Sequence, residues 1–486
     1  MEEQSAPLSL AEWITQYPDF TQQAFAGLVI RAMDGNFMWL PDRHCWAYWT
    51  GRVWDLESPR SQLAEMRITQ EIAQEIGYIP TDDAEDEDAE DYARRLRQWK
   101  VKIKSDNYQN GAINMAKPGV ARKGVMFDTQ ELINTPDYVV TLPDLKIREQ
   151  RKIDFCTRLL GTTPDHGECP HWMKFIDEIT CGDKELADYL QCLAGYAMTP
   201  WLSEPSVFIC YGKGRNGKTV FFSILRKVLG GYIIGYDKTA IVKGEKPSKD
   251  WALPDLEGAR MVIVAETGEG DLLDINKIKA LTGGESVIKA EAKFGSPFDI
   301  APRAKWIIYT NYRMKIKGGD TGTWRRVMEV PFRYVVPENK IIPREILEPM
   351  LLAELPQIAA WALQGLRKYI ENDHHMPVCK AVLDCTNEYR MGEDIVLRFL
   401  IACPHELHHR GLKDLHDCFK RWVESEEGAN KRVMGKRAFR EELEHHMVEL
   451  YMDGRGYWWV KGDQISLLDQ NGKSAAAGEV TTNVEF

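Results

Sequence analysis

Several features are missing from this chain, and each absence narrows what it can be. None of its ten cysteines form a CxxC pair, and 486 residues can bury a core without disulfides, so we expect reduced thiols. No apolar run approaches the roughly 20 residues that span a bilayer. The first stretch, MEEQSAPLSLAEW, lacks the basic-then-apolar layout of a signal peptide. These absences predict a cytosolic protein without a membrane partner.

An excess of basic residues is also missing. Lys and Arg number 62 against 73 Asp and Glu, giving a formal net charge of −11. This argues against a bulk basic surface that coats nucleic acid. Nucleic acid held in a locally basic channel remains compatible, because charges are screened beyond about 8 Å at physiological salt.

The chain does contain a glycine-rich stretch, GKGRNGKT, at residues 212–219. It follows the apolar run SVFICY and precedes the helical pattern VFFSILRKVLGG, which is the setting of a phosphate-binding loop. Lys218 would reach the β- and γ-phosphates, and the Thr219 hydroxyl would ligate Mg²⁺. The residues predicted to bind the nucleotide are Gly212, Gly214, Asn216, Gly217, Lys218 and Thr219.

Polar residues follow the next apolar strands. Glu266 ends MVIVAE, where open α/β sheets place their ligands, and Asn311 ends KWIIYTN. Arg325 and Arg326 precede a further strand and could stabilise transition-state charge from a neighbouring subunit. Each residue also has an ordinary interpretation, as a turn residue or as a surface ion pair.

Taken in order, these motifs resemble those of superfamily 3 helicases, of the branch found in poxvirus-type and phage or plasmid primase–helicases. The resemblance covers most of residues 20–335 and is carried by YGKGRNGKTVF, VIVAETGEG, INKIKALTGGESVIKAEAKF, WIIYTNYRMKIKGGDTGTWRRV and EVPF. It implies an α/β fold with an AAA+ P-loop ATPase core, ATP and Mg²⁺ as cofactors, and a homo-hexameric ring.

The resemblance also implies roles for individual residues. Glu266 would be the general base, Asn311 the γ-phosphate sensor, and Arg326, or else Arg325, the finger that reaches the adjacent subunit's ATP. Ala265 stands where many such strands carry a second acid. Mg²⁺ would therefore be held by Thr219 and waters alone, or Glu266 would also serve it through water.

A hairpin is expected in LTGGESVIKAEAKFGSPFDI, ahead of the sensor strand. In the family this hairpin lines the central pore. Lys289 and Lys293 would contact the backbone of single-stranded DNA, with Phe294 as a stacking group. The alternative is that both lysines lie on a solvated strand face.

The remaining segments complete the predicted organisation. Alternating aromatics between turns at residues 36–56 predict a β-meander after a helix over residues 11–31, and we expect those aromatics to form core. The basic cluster around residues 431–440 would contact duplex origin DNA, or would be an ordinary charged helix. The expected boundaries are an N-terminal α/β accessory region 1–124, a helical region 125–200, the ATPase core 201–345, a helical lid 346–379, a winged-helix-like domain 380–465 and a disordered tail 466–486.

The leading hypothesis is an ATP-dependent replicative DNA helicase of a phage or mobile element, acting in the bacterial host cytosol. An ATP-switched initiator that melts an origin locally, and a P-loop phosphotransferase, remain alternatives. No carboxylate triplet for two-metal polymerase chemistry is evident near the N-terminus, so priming is expected from a separate primase or polymerase. The match to H-E-x-x-H at residues 405–409 is too short for a zinc hydrolase helix.

Overall fold

The structure is a computed structural model of the chain. It describes residues 19–56, 58–81, 87–244, 253–265, 267–283, 288–291, 297–316, 321–403, 410–427, 433–446, 448–460, 467–468 and 474–475. The chain divides into two compact units. The first comprises Met1–Met314 and Arg325–Ala381, and the second comprises Lys315–Trp324 and Val382–Phe486.

The first unit begins with a helical layer and a small sheet. Thr21 caps the first helix by accepting a hydrogen bond from the Ala24 amide at 3.1 Å. The helix therefore begins at Gln22, and the prediction of a continuous helix over residues 11–31 was wrong at residues 19–21; residues 1–18 lie outside the described part. The elements here are α1 (Gln22–Met33), β1 (Phe37–Leu40), β2 (Cys45–Trp49), β3 (Trp54–Asp55), α2 (Ser58–Tyr78), α3 (Glu87–Lys102) and α4 (Asp106–Ala116).

The predicted β-meander is confirmed, because β1, β2 and β3 pair antiparallel in that order. Its aromatics pack inward as expected. Trp46 and Trp54 are buried, and Phe37 contacts Trp46 edge to face with ring centroids 6.3 Å apart. A second small sheet follows, made of β4 (Leu132–Asn134), β5 (Val139–Thr141) and β6 (Ile147–Arg148).

Five parallel strands form the central sheet of the first unit: β7 (Val207–Tyr211), β8 (Ile233–Tyr236), β9 (Met261–Ala265), β12 (Lys305–Thr310) and β13 (Val327–Pro331). Their order across the sheet is β13-β7-β12-β9-β8. Four of the strands, β7, β9, β12 and β13, are buried along most of their length, as expected for parallel strands covered on both faces. Since all run the same way, their carboxyl ends share one edge of the sheet.

Helices cover this sheet. They are α5 (Pro170–Ile179), α6 (Lys184–Tyr196), α7 (Lys218–Leu229), α8 (Ile275–Thr282), α10 (Arg344–Ala353) and α11 (Leu355–Glu371). Helices α6 and α11 pack with their backbones almost in contact. A Cβ at Gly195 would lie 2.2 Å from the Leu366 nitrogen, and one at Gly365 would lie 2.0 Å from the Gln191 oxygen. Only glycine permits this approach.

The predicted hairpin ahead of the sensor strand is confirmed. Strands β10 (Ile288–Glu291) and β11 (Pro297–Ile300) pair antiparallel, with Ala290 opposite Phe298 and Lys289 opposite Asp299. The connection between them lies outside the described residues.

The second unit has its own core. Phe399, Phe419 and Phe439 pack together, the latter two stacked with centroids 4.6 Å apart. The helices are α9 (Thr321–Trp324), α12 (Lys380–Glu393), α13 (Ile395–Ala402), α14 (Leu412–Glu427) and α15 (Lys436–His445), and the hairpin is β14 (Leu450–Met452) with β15 (Trp458–Val460). Beyond it, β16 (Leu467–Leu468) pairs with β17 (Ser474–Ala475).

Within the described residues, no single helix is long and apolar enough to cross a membrane. Helices α10 and α11 reach the required length and hydropathy only as a pair, and that pair is bent by 68°. The inner face of α11 is buried, at Ile358, Trp361, Leu366 and Tyr369 among others.

Candidate functional site

The glycine-rich loop connects β7 to α7 at the carboxyl edge of the central sheet. Gly217 takes a positive φ of 82°, and a Cβ there would lie 2.5 Å from Ile179. A Cβ at Gly214 would meet nothing within 4 Å. Gly217 is therefore required by the fold itself, whereas the space beside Gly214 remains open to a ligand.

Asn216 holds the loop in shape. Its side chain is buried, and its amide donates to the Lys213 and Phe332 carbonyl oxygens at 3.0 and 3.2 Å. The loop is thereby tied to the residue that follows β13. Asn216 also forms part of the cavity wall described below.

Lys218 begins α7 and is 4% exposed. Its amine donates to the Gly212 carbonyl oxygen and to Oδ1 of Asn311, the latter at 3.2 Å. Burial lowers the pKa of Lys218 to about 8. Thr219, the next residue, is exposed, as a hydroxyl that reaches an incoming metal must be.

Two strands adjacent in the sheet contribute polar residues beside the loop. Asn311 follows β12, which pairs directly with β7, so the sheet order itself brings it to Lys218. Thr267 follows the end of β9, and its hydroxyl donates to the Thr310 hydroxyl at 2.7 Å. Glu266 lies outside the described residues, immediately between β9 and Thr267.

These groups line part of a cavity with a volume of about 690 Å³, a size typical of small-molecule sites. The rest of the lining is mainly apolar. It comes from α5, from the segment after β13 and from α10, and it includes Phe175, Ile179, Tyr334, Val336, Ile341, Ile342, Leu347 and Met350. Part of this apolar wall lies directly against the loop, because a Cβ at Gly217 would be 2.5 Å from Ile179 and 3.2 Å from Phe175. The cavity thus combines a polar loop with an apolar wall.

Glu354 holds α5, which forms part of the apolar wall, in place. Its buried carboxylate accepts from the backbone amides of His171 and Trp172 at 3.0 and 2.9 Å, capping the first turn of α5. The same carboxylate contacts Nδ1 of His171 at 2.6 Å. The polar residues His171, Lys174 and Glu178 also line the cavity.

Arg325 and Arg326 lie at the opposite end of the sheet strands from the glycine-rich loop. They directly precede β13, whose first residue pairs with Val207, the first residue of β7. Arg325 is exposed and Arg326 half-buried, at the amino edge of the sheet. Since the glycine-rich loop leaves the carboxyl end of β7, about 15 Å of strand separates them from it. The structure does not bring these arginines to the chain's own Lys218.

The predicted DNA contacts are only partly described. Lys293 and Phe294 lie outside the described residues, and Lys289 is placed only by its backbone position on β10. In the second unit, Lys431 and Arg432 also lie outside. Arg437 pairs with Glu441 at 3.0 Å, and the Arg440 guanidinium lies 4.7 Å from the Trp458 ring centroid.

No group of three or more His, Cys, Asp and Glu residues that could hold a metal occurs in the described part of the chain. The H-E-x-x-H match at residues 405–409 lies outside it.

Reasoning from the sequence missed the apolar wall of the cavity. The stretch HWMKFIDEIT, residues 171–180, lies in the region 125–200 that was predicted to be helical, but nothing in it indicated which face would line a cavity. Thr267 was missed as well, although it directly follows the predicted base. Its position at a strand end was the available signal.

Comparison with known families matches two parts of the chain. Residues 26–181 match the family described as D5 N terminal like. Residues 210–326, which contain the glycine-rich loop and Asn311, match a family of unknown function, DUF5906.

Three curated viral proteins, each bearing the name "Putative helicase", are similar in sequence. The relative from Acanthamoeba polyphaga mimivirus is 26% identical over 269 residues, covering 50% of this chain and 27% of its own length. The relative from Frog virus 3 (isolate Goorha) is 27% identical over 212 residues, covering 39% and 21%. The relative from Invertebrate iridescent virus 6 is 30% identical over 128 residues, covering 25% and 13%. The chain therefore spans about a quarter or less of the length of these relatives.

Among solved structures, the apo C-terminal region of NrS-1 is similar at 12% identity and a TM-score of 0.49, covering 91% of this chain and 99% of that chain. A second apo form gives 11% identity and a TM-score of 0.46, covering 90% and 98%. The D5-like segment, residues 26–181, and the viral relatives confirm the resemblance that the motifs indicated, to helicases of the superfamily 3 type found in phages and viruses.

Proposed function

We propose that this chain is an ATP-driven DNA helicase motor with an AAA+ P-loop core, whose hydrolysis sites are completed between copies of the chain. The observation that carries the proposal is the contact between Lys218 and Asn311 at the rim of the cavity. A buried amine, an amide and an open glycine-rich loop meet at the carboxyl edge of a parallel sheet. This combination suits a triphosphate.

The cavity volume of about 690 Å³ supports binding of a whole nucleotide. The triphosphate would lie along the loop, with the backbone near Gly214 close to it and Lys218 turned from the Gly212 carbonyl toward the β- and γ-phosphates. The base would lie against the apolar wall formed by α5 and the segment after β13. Thr219 would hold Mg²⁺, which supplies charge neutralisation at the phosphates. Asn311 would orient the attacking water, and Glu266 would accept its proton.

The position of Arg326 supports completion of the site in trans. Within one chain, the length of strand β7, about 15 Å, separates Arg326 from the glycine-rich loop. In a ring, that edge would face the loop of the next copy. A homo-hexamer built on such head-to-tail contacts would place Arg326, or Arg325, beside each neighbour's γ-phosphate.

Subunit mixing tests this arrangement directly. Lys218→Ala and Arg326→Ala are each expected to abolish hydrolysis, the first by preventing binding and the second while nucleotide binding persists. An equal mixture should recover about one quarter of the wild-type rate, because about one interface in four pairs an intact loop with an intact finger. A mixture that co-assembles without any recovery would contradict a site shared between subunits. Full hydrolysis by an isolated monomer would instead favour the phosphotransferase.

An initiator that melts DNA locally remains the second candidate, because the chain carries a separate compact unit with several helices and a hairpin, β14–β15. That unit would serve as a winged-helix-like module on duplex origin DNA. A strand-displacement assay separates the two. The helicase releases a long labelled strand in an ATP-dependent reaction, whereas the initiator opens a short region without releasing it.

A further inference from the structure

Arg43 occupies an unusual position in the turn between β1 and β2. Its side chain is 9% exposed, and its two terminal nitrogens contact the two carboxylate oxygens of Glu257, one of them at 2.7 Å. The same guanidinium donates to the Val125 carbonyl oxygen at 3.3 Å. A residue of the D5-like segment is thus paired, fork to fork, with a residue of the ATPase core.

Two aromatic rings enclose the guanidinium. Its central carbon lies 4.3 Å from the ring centroid of Phe298 and 5.2 Å from that of Phe127. Phe127 belongs to the D5-like segment, whereas Phe298 lies on β11 of the hairpin. A planar cation between two rings is favourable at these distances. Arg43 therefore touches the hairpin directly.

Glu257 belongs to a segment that is fixed from several sides. Arg158 donates to the carbonyl oxygens of Glu257 and Asp255, both at 2.8 Å. Gly258 has a φ of +70°, and a Cβ there would lie 2.5 Å from Oδ2 of Asp128. The segment includes the turn Leu253–Leu256, which contacts β10, and it leads directly into β9. These contacts thus hold both the hairpin and β9, the strand that ends at Ala265.

The hairpin has two different faces. Phe298, opposite Ala290, turns toward Arg43 and is half-buried. Asp299, opposite Lys289, is exposed. Neighbouring residues of a strand point to opposite faces. The face that docks on Arg43 is therefore not the face that carries Asp299.

We infer that Arg43 is a positioning residue that fixes the β10–β11 hairpin, at Phe298, to the D5-like segment and to the entry of β9, so that DNA on the hairpin influences hydrolysis at the loop. This inference rests on the proposed function, in which the hairpin contacts single-stranded DNA. Arg43 itself touches neither the nucleotide cavity nor, in this arrangement, the DNA.

The test measures ATP hydrolysis by the full chain as a function of single-stranded oligonucleotide concentration. For Arg43→Ala and for Phe298→Leu we expect basal hydrolysis to persist, while the oligonucleotide concentration that gives half-maximal stimulation rises about 2- to 30-fold. Phe298→Tyr retains the ring and should restore the wild-type value. Because Phe298→Leu removes a contact that Arg43→Ala also removes, the double variant should be no worse than Arg43→Ala alone.

Arg148→Ala provides the matched control. Arg148 also lies in the D5-like segment and pairs fork to fork with a carboxylate, Asp154, at 2.7 and 2.8 Å, but this partner is in the same segment. This variant should leave DNA stimulation unchanged. Thermal unfolding of every variant separates a local effect from loss of the fold.

The outcomes are distinguishable. A wild-type chain that hydrolyses ATP without any response to single-stranded DNA overturns the proposed motor, and the role of Arg43 with it. A wild-type chain that responds, with Arg43→Ala and Phe298→Leu responding equally well, overturns the role of Arg43 alone. Equal losses in Phe298→Leu and Phe298→Tyr would also contradict it, because the ring face would then not matter.

Discussion

The amine of Lys218 lies 3.2 Å from Oδ1 of Asn311 and donates a hydrogen bond to it. The two residues are far apart in the chain, and they meet because β12 lies directly beside β7 in the sheet. The contact keeps a buried cation partnered before a phosphate arrives. In the proposed motor, the Asn311 amide would lie beside the terminal phosphate of the nucleotide.

Replacing Asn311 by alanine should therefore slow hydrolysis more than it weakens binding. We expect a fall on the order of 10²-fold in kcat, because a polar group that orients charge or water in the transition state is typically worth that much. Nucleotide affinity, measured with a fluorescent ATP analogue, should change little. Asn114→Ala is the control, since Asn114 also accepts from a lysine amine, that of Lys117, at 2.8 Å but on the surface of the D5-like segment. Equal losses of kcat in both variants would contradict the role of Asn311.

Nucleotide binding should depend on pH through Lys218. In the free protein its pKa is lowered to about 8 by burial, so the amine loses its proton well below the pKa of an unfolded lysine. Above about pH 8 a triphosphate must bind together with a proton, and its affinity should fall by up to about tenfold for each further pH unit. Calorimetry in two buffers of different ionisation enthalpy should detect proton uptake that is near zero at about pH 7 and approaches one at about pH 9.

The lowered pKa of Lys218 also makes the free energy of unfolding depend on pH. Between about pH 8 and the unfolded pKa, the unfolded chain binds more protons at Lys218 than the folded chain, so the free energy of unfolding rises with pH over this window. Lys218→Met should remove this rise in the free energy of unfolding with pH. Lys174→Met, which changes another lysine of the cavity, should retain both the rise and the proton uptake. A rise that persists in Lys218→Met would assign it to another group.

Two glycines of the loop should respond differently to alanine. Gly217→Ala forces a side chain into a positive φ and toward Ile179, and should destabilise the protein by about 1–3 kcal/mol while abolishing nucleotide binding. Gly214→Ala meets no protein atom within 4 Å, so its unfolding temperature should match that of the wild type. Its added methyl group nevertheless occupies space beside the cavity, and nucleotide affinity should fall. Equal unfolding temperatures for both variants would contradict the distinction.

Glu354→Ala should loosen the apolar wall of the cavity. It removes the acceptor for the amides of His171 and Trp172, and a buried amide without a partner costs about 1–3 kcal/mol. Thermal unfolding should show this loss, and nucleotide affinity should fall because α5 carries Phe175 and Ile179. Glu348→Ala is the control, because it removes a more exposed carboxylate, which pairs with Arg344 at 2.8 Å. Its unfolding temperature and its nucleotide affinity should both change much less.

Local signals in the sequence were sufficient for much of this protein. The β7–loop–α7 unit, the strands that end before Glu266 and Asn311, the β-meander and the β10–β11 hairpin all follow from patterns within about twenty neighbouring residues. Turn residues, caps and alternation act through adjacent residues, so a sequence reveals them. Where a cap was overlooked, as at Thr21, the prediction of a helix running through residues 19–21 was wrong.

Only the tertiary structure decided which distant residues meet. The pairings of Arg43 with Glu257 and of His171 with Glu354 join residues 214 and 183 positions apart. The apolar wall of the cavity and the position of Arg326 at the far edge of the sheet likewise depend on strand order. No local propensity encodes these contacts, because they arise from how the sheet and its covering helices bury their apolar faces against one another. The sequence by itself determined the helicase resemblance and the β7–loop–α7 unit, whereas packing decided what surrounds that loop.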